Sequence, residues 1–179
     1  MVKTLRPQDR LSILAYDDRV NVVCELQQMD EANQAKTVQL IDEIHTGGAT
    51  DIYTAVEKAI QIIEARKEKS RNPAIMLFTD GQPNRSPPEG EIAAILKLNT
   101  KCPIHTFGFG YNLNSGLLLN MARLNGGMNC FIPDATFVGT TFVNAISNIK
   151  TTAAVDVILK MNVEGFESVS GDLDLVDNV

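Results

Sequence analysis

The sequence predicts an α/β fold, a doubly wound and mostly parallel sheet with helices on both faces. Three observations predict it. Strand and helix signals alternate along most of the 179 residues. Residues 74–78, Ala-Ile-Met-Leu-Phe, form a short, wholly apolar run of the kind buried on both faces of a parallel sheet. Ile52, Ala55, Val56, Ala59, Ile60 and Ile63 recur at the i, i+3, i+4, i+7 spacing of one buried helix face. A chain that alternates strands with amphipathic helices buries both by laying the helices on a parallel sheet.

Taken in order, Leu11-Ser12-Ile13-Leu14-Ala15-Tyr16 reads as a strand. Val20-Asn21-Val22-Val23-Cys24 follows the turn at Asp17-Asp18-Arg19 closely enough to pair with it as a hairpin. Residues 33–45 place Val38, Ile41 and Ile44 at helical spacing, and Gly47-Gly48 ends that helix. The helix from Ile52 stops in the charged run 66–71 and is closed by Asn72-Pro73, since a residue before proline is pushed out of the helical region. Ser86-Pro87-Pro88-Glu89 predicts the next helix start, with Ser86 as N-cap and Glu89 placed for a capping box, running to about Leu98. A strand at 103–110, a helix from Ser115 to the glycines Gly126-Gly127, a strand at 128–132 and a helix at 137–149 complete the alternation.

The last segment breaks that rhythm. Val155, Val157, Leu159, Met161 and Val163 alternate with Asp156, Ile158, Lys160 and Asn162, the period of a half-buried strand, and residues 166–176 are placed to be its hairpin partner. The expected organisation is therefore a main domain at 1–150 and a β-strand tail at 151–179 that opens a second, β-rich domain.

Composition narrows the function classes. A hydrophobic content of 44% with 21% charged residues is that of an ordinary globular chain rather than a disordered one. No run of about 18 apolar residues is present, and the Met1-Val2-Lys3-Thr4-Leu5-Arg6-Pro7 start lacks the apolar stretch of a signal peptide, which predicts a cytoplasmic protein. The tail holds six acids against Lys160 alone and so carries most of the net charge of -6. No basic stripe is left to neutralise phosphates, which argues against nucleic acid as a partner. The cysteines Cys24, Cys102 and Cys130 are far apart and lie in apolar stretches, so buried thiols are expected rather than a disulfide or a metal site.

Four ordered motifs carry a resemblance. Asp9-Arg10-Leu11-Ser12-Ile13, then Gly47-Gly48-Ala49-Thr50-Asp51-Ile52, then Leu77-Phe78-Thr79-Asp80-Gly81, then residues 104–110, Ile-His-Thr-Phe-Gly-Phe-Gly, are together similar to the von Willebrand factor type A domain. The resemblance spans about residues 5 to 150. It implies a Rossmann-like sheet whose upper rim holds Mg²⁺, or alternatively Mn²⁺ or Ca²⁺, at a metal ion-dependent adhesion site that accepts an acidic residue of a partner protein. On the matching positions Thr50 would supply a hydroxyl and Asp80 a carboxylate to that ion. Hard divalent cations do prefer oxygen ligands, and an incomplete protein shell leaves a place for a partner's carboxylate.

The chain departs from the family in one respect. The strand ending in Asp-x-Ser-x-Ser, which supplies the principal ligands and lies between the strands at Leu11 and Ala74, has no counterpart in the 179 residues. A truncated chain, a degenerate domain and a domain completed by another polypeptide are all compatible with this. The similarity of residues 1–7 to the end of the family's first helix favours truncation. Two interior strand edges are then expected to lack their hydrogen-bond partner, and metal function is expected to be weakened or lost.

Each candidate also has a plainer role. Thr50 stands where a hydroxyl would cap the following helix. Asp80-Gly81 is a favoured turn pair, and Asp51 is placed as a first-turn acid favoured by the helix dipole. His45 and His105 lack a second ligand at metal spacing and are expected to be structural. Gly108-Phe109-Gly110 lacks the third glycine of a dinucleotide fingerprint. No nucleotide-binding, nucleophile-elbow or zinc-protease signature occurs, so no enzyme is expected and no catalytic residue is assigned. The sequence reading is thus a protein-protein interaction module; the alternative is a metal-independent assembly module that pairs through open sheet edges, with homo-oligomers as one outcome and no membrane partner.

Overall fold

A computed structural model describes residues 2–45 and 47–151. The tail strand and hairpin expected at 151–179 lie outside the described residues from position 152 onward. After a short 3₁₀ turn at Val2–Thr4, the chain forms β1 (Arg10–Tyr16), β2 (Val20–Gln28), α1 (Glu31–Asp42), α2 (Ile52–Ala65), β3 (Ile75–Thr79), α3 (Glu91–Lys97), β4 (Ile104–Phe109), α4 (Ser115–Leu124), β5 (Asn129–Ile132) and α5 (Ala135–Thr151). The α/β alternation expected from the sequence is present throughout.

The strands form two sheets among the described residues. β1 and β2 make an antiparallel hairpin with bulged register between Leu11 and Leu14, and β3, β4 and β5 make a parallel sheet in the order β3-β4-β5. Among the described residues no strand lies between β1 and β3, so one edge of each lacks a ladder partner there, as the sequence reading expected. The two sheets are nonetheless side by side and run the same way. At their amino ends, the Arg71 guanidinium ahead of β3 donates to the Gln8 carbonyl ahead of β1 at 2.6 Å. At their carboxyl ends, the Tyr16 hydroxyl of β1 donates to the Phe78 carbonyl of β3 at 2.6 Å.

Two apolar clusters cover the faces of the parallel sheet. On one face α2, α3 and α4 bring Ile52, Val56, Ile95, Leu118 and Met121 against Ile75, Leu77 and Ile104. On the other face α5 packs against Phe107 and Ile132, with Met76 and Phe78 at its margin. The alternation along β3 explains the division, since Ile75 and Leu77 point one way and Met76 and Phe78 the other. The expectation that 74–78 would be buried on both faces is therefore corrected. Met76 and Phe78 are only half-buried, because α5 meets β3 at the margin of its cluster, through the Phe142 ring stacked on Phe78.

Several helix starts differ from expectation for identifiable reasons. α1 begins at Glu31, capped by Asp30, whose carboxylate accepts the Asn33 N–H at 2.8 Å. α3 begins at Glu91 behind Gly90 at φ 82°, not at Ser86. Instead of closing a capping box, Ser86 donates to the Glu91 carboxylate and Glu89 pairs with Lys97 at 2.6 Å. The end of α4 follows the sequence. Gly126 takes φ 64°, and the Gly127 N–H returns to the Ala122 carbonyl at 2.9 Å, the closure that satisfies an otherwise orphaned helix carbonyl.

Candidate functional site

The carboxyl ends of β1 and β3 and the loop entering α2 converge on one rim. Loop 47–51 is laid down against the β1–β2 turn: the Asp51 N–H donates to the Asp17 carbonyl at 3.0 Å. A Cβ on Gly47 would stand 1.9 Å from Asp17 Oδ2 and 2.3 Å from its Cβ, so only glycine permits this approach. The loop is then stitched to the turn after β3. The Thr50 N–H donates to Asn84 Oδ1 at 2.8 Å, and the Asn84 N–H donates back to the Thr50 carbonyl at 3.3 Å. Arg85 completes the closure by donating to the Asp18 carbonyl at 3.0 Å.

These ties bring Thr50 against the turn that carries Asp80. A Cβ built on Gly81 would meet the Thr50 hydroxyl oxygen at 3.5 Å, ordinary contact, so the Thr50 side chain faces the Asp80-Gly81 turn. Thr50 does not cap α2. That role belongs to Asp51, whose carboxylate accepts the Thr54 N–H at 3.0 Å and the Thr54 hydroxyl at 2.9 Å. The plainer readings of both residues are thereby corrected: Asp51 is the N-cap itself, and the Thr50 hydroxyl is left to the rim. Asp80 follows the buried Thr79 and is exposed, while Thr79 Oγ1 accepts the Gly81 N–H at 3.3 Å and shapes the turn.

The donor set is of the right kind and short in number. A hydroxyl and a carboxylate are oxygen ligands suited to a hard divalent cation, but such ions take about six or more oxygens. Among the described residues no group of three His, Cys, Asp or Glu side chains is gathered at a metal-binding distance. Thr50 and Asp80 therefore fit part of a shell and do not by themselves make one. Asp17, another acid near the rim, is committed to its own turn. Its carboxylate accepts the Arg19 N–H at 2.9 Å, which holds it below the ordinary carboxylate range.

Beside the rim lies a feature the motif reading missed. Phe78, Phe107 and Phe142 stack with centroids 4.5 to 5.7 Å apart, and with Phe109, Ile132 and Val138 they line a pocket of about 430 Å³ whose polar end is Thr79 and Asp80. The signal was available in part, since Phe107 and Phe109 share one face of a strand. Phe78 and Phe142 could be joined to them only by knowing where α5 lies. Tyr16 was likewise read as a strand residue, whereas its buried hydroxyl links the two sheets and burial raises its pKa to about 12.

The remaining candidates have structural roles. His105 is buried in β4, its Nδ1 accepts the Met128 N–H at 3.1 Å, and desolvation lowers its pKa. His45 is exposed beyond the end of α1. The three cysteines are free thiols. Burial raises the pKa of Cys102 to about 12 and pushes that of Cys130 upward, as expected of unreactive thiols. None of the described helices is long and apolar enough to cross a membrane.

A layered α/β module with a loop-built rim at the carboxyl ends of its strands defines a class in which ligands are bound at that rim. Within that class, residues 1–82 match the family model of the von Willebrand factor type A domain. The chain is 32% identical over 163 residues to an uncharacterized protein of Synechocystis, an alignment covering 86% of this chain and 37% of that one. The fold is similar to a von Willebrand factor type A structure from Catenulispora acidiphila, with a TM-score of 0.76, 19% identity and coverage of 83% of this chain and 35% of that chain. It is also similar to proximal thread matrix protein 1 of the mussel byssus with a zinc-occupied MIDAS motif, with a TM-score of 0.63, 19% identity and coverage of 82% and 37%. The chain thus spans little more than a third of the length of each.

Proposed function

We propose that this chain is a protein-protein interaction module that engages its partner at the rim formed by loop 47–51 and turn 79–84. The observation that carries the reading is the meeting of the Thr50 hydroxyl with the Asp80-Gly81 turn, fixed by reciprocal bonds between Thr50 and Asn84. The zinc at the MIDAS motif of the mussel protein supports a divalent cation at the rim in this fold. Here Thr50 and Asp80 would contribute two oxygens to Mg²⁺, Mn²⁺ or Ca²⁺, and a partner's acidic residue would take an open position. With only those two donors from the described residues, cation binding is weak unless further oxygens come from elsewhere. The rim offers groups for binding rather than a nucleophile beside a base, so we read the module as non-enzymatic.

The test is thermal unfolding in EDTA and in excess Mg²⁺ or Mn²⁺, with Asp80→Ala beside the parent chain. A cation that binds only the folded state raises the midpoint by mass action. The parent should shift upward and Asp80→Ala should not. A parent midpoint indifferent to both ions would sink the cation reading.

A second reading, a metal-independent assembly module, draws on a separate observation, the partnerless edges of β1 and β3 among the described residues. Such edges recruit strands from other chains. Its signature is a dimer or larger species in sedimentation that EDTA does not dissociate, and a monomer at high concentration would count against it.

A further inference from the structure

Ser86-Pro87-Pro88-Glu89 carries the residues of a helix start, yet α3 begins only at Glu91, and residues 81–90 hold neither helix nor strand. Asn84, Arg85 and Ser86 are exposed. Ser86 and Pro87 each precede a proline, which favours extended backbone at both, and Pro87 and Pro88 have no N–H to tie into a ladder. Of the seven prolines in the chain, Pro87 alone follows a residue with a hydroxyl. A serine hydroxyl is a phosphoryl acceptor, and one exposed directly ahead of a proline suits a protein kinase that selects proline after its acceptor.

The same segment fastens the rim. Asn84 exchanges two hydrogen bonds with Thr50, at 2.8 and 3.3 Å. Arg85 donates to the Asp18 carbonyl at 3.0 Å. The Ser86 hydroxyl donates to the Glu91 carboxylate. Three successive residues thus hold loop 47–51, the β1–β2 turn and the first turn of α3. No helix or strand has to unfold for these ties to open, so this is a place of low local stability.

We propose that Ser86 is a phosphorylation site for a proline-directed protein kinase and that its modification unties the rim; the regulatory meaning rests on the rim reading above, the chemistry does not. Ser86 Oγ attacks the γ-phosphorus of a nucleoside triphosphate held by the kinase. The Oγ–P bond forms, the bond to the β,γ-bridging oxygen breaks, the diphosphate leaves with that electron pair, and the hydroxyl proton passes to the kinase's carboxylate base. A donor to Glu91 becomes a phosphate of about -1.5 to -2 charge with acceptor oxygens only, set against that carboxylate, and the two repel. Two cations are near in the fold. Lys97 is already paired with Glu89 at 2.6 Å, whereas Arg85, the adjacent residue, holds a neutral carbonyl. A guanidinium takes phosphate oxygens in pairs, and such charge-assisted bonds are about twice as strong as one to a carbonyl, so Arg85 leaves Asp18 for the phosphate. With residues 85 and 86 displaced, Asn84 loses its seat and the Thr50 hydroxyl is no longer fixed against the Asp80-Gly81 turn.

The experiment treats the full chain with a proline-directed kinase and ATP, locates the phosphate by mass spectrometry, and then follows amide hydrogen exchange in EDTA after the nucleotide is removed. One phosphate should be found at Ser86, and Ser86→Ala and Pro87→Ala should each abolish it. In the phosphorylated chain the amides of Thr50 and Asn84 should exchange on the order of 10-fold faster, while that of Thr106, bonded to the Met128 carbonyl inside the sheet, should not change. Arg85→Ala should speed the Thr50 and Asn84 amides before any phosphate is added, and phosphorylation should then add little. A chain left unmodified at Ser86 would overturn the proposal, whether or not a free peptide of residues 80–92 is modified. Phosphate at Ser86 with unchanged or slower exchange at Thr50 and Asn84 would overturn the untying. Because exchange is read in EDTA, an unphosphorylated chain whose midpoint ignores Mg²⁺ sinks the cation reading and leaves this result standing.

Discussion

Along β4 five of six residues are buried, whereas along β1 none of the seven is, although both strands carry apolar side chains and stand in the same layer of the fold. The difference is one of neighbours. β4 has a strand on either side, α4 on one face and the aromatic cluster on the other. β1 has β2 on one edge, α2 on one face, and otherwise the ties made by Tyr16, Asp17, Asp18 and Gln8. Burial in this fold is thus conferred by position in the sheet rather than by the hydrophobicity of the strand. A strand as apolar as Leu-Ser-Ile-Leu-Ala-Tyr stays half-exposed when its inner edge has no partner.

The largest expected effect tests that contrast directly. Ile104 is fully buried at the centre of the larger cluster, and Ile104→Ala should destabilise the chain by roughly 3–4 kcal/mol in chemical denaturation, through lost transfer energy and the cavity left behind. Leu14→Ala removes a side chain of similar size from the half-buried β1 and should cost about 1 kcal/mol or less. Equal costs would break the comparison and would mean that the inner edge of β1 is covered in solution.

A smaller effect sharpens the same point at the seam. Tyr16→Phe keeps the ring against α2 and removes only the hydroxyl that bonds to the Phe78 carbonyl, so it should cost about 1 kcal/mol. If a strand occupies the gap, its own amide can take that carbonyl and the substitution becomes nearly neutral. The measurement is the shift in denaturation midpoint at unchanged slope.

How much of this was legible beforehand depends on range. α2 was read with its start and apolar face correct because six apolar positions repeat at helical spacing and a charged run ends it. The hairpin, the parallel run at β3 and the glycine closure of α4 are local patterns and were read for the same reason. α3 was placed too early because Ser-Pro-Pro-Glu satisfies a start signal that the chain uses for a turn, with Ser86 reaching forward to Glu91. At the rim, Thr50 and Asp80 were picked out by motif, but their meeting depends on Asn84, a residue 34 positions from Thr50 that has no signature in the sequence. The aromatic pocket depends on the Phe78–Phe142 contact between β3 and α5, which no local pattern encodes.

The smallest effect concerns a polar group inside the better-packed half. His105 is buried, and desolvation depresses its pKa below the ordinary 6.5, so the folded chain prefers it neutral with Nδ1 free to accept the Met128 N–H. In the unfolded chain the imidazole titrates near its ordinary value and takes up a proton as pH falls through that point. The unfolded state then binds more protons than the folded one, and stability declines with decreasing pH until the folded pKa is passed. His105→Gln keeps an acceptor for Met128 and removes the titration. It should therefore flatten the slope of stability against pH just below 6.5, with only a modest loss at pH 8. A slope that survives there would overturn the assignment to His105, since the carboxylates, Asp9 among them, titrate at lower pH. Burial opposes the charged form of Asp9, but the Arg6 main chain and guanidinium, aided by Lys150, hold its pKa below the ordinary value. The stabilising effect of that depression is present above the unfolded carboxylate pKa and is lost only as pH falls through the lower folded value. The two contributions therefore occupy separate pH windows, and a titration curve on the parent and the His105→Gln chain resolves which half of the sheet it reports.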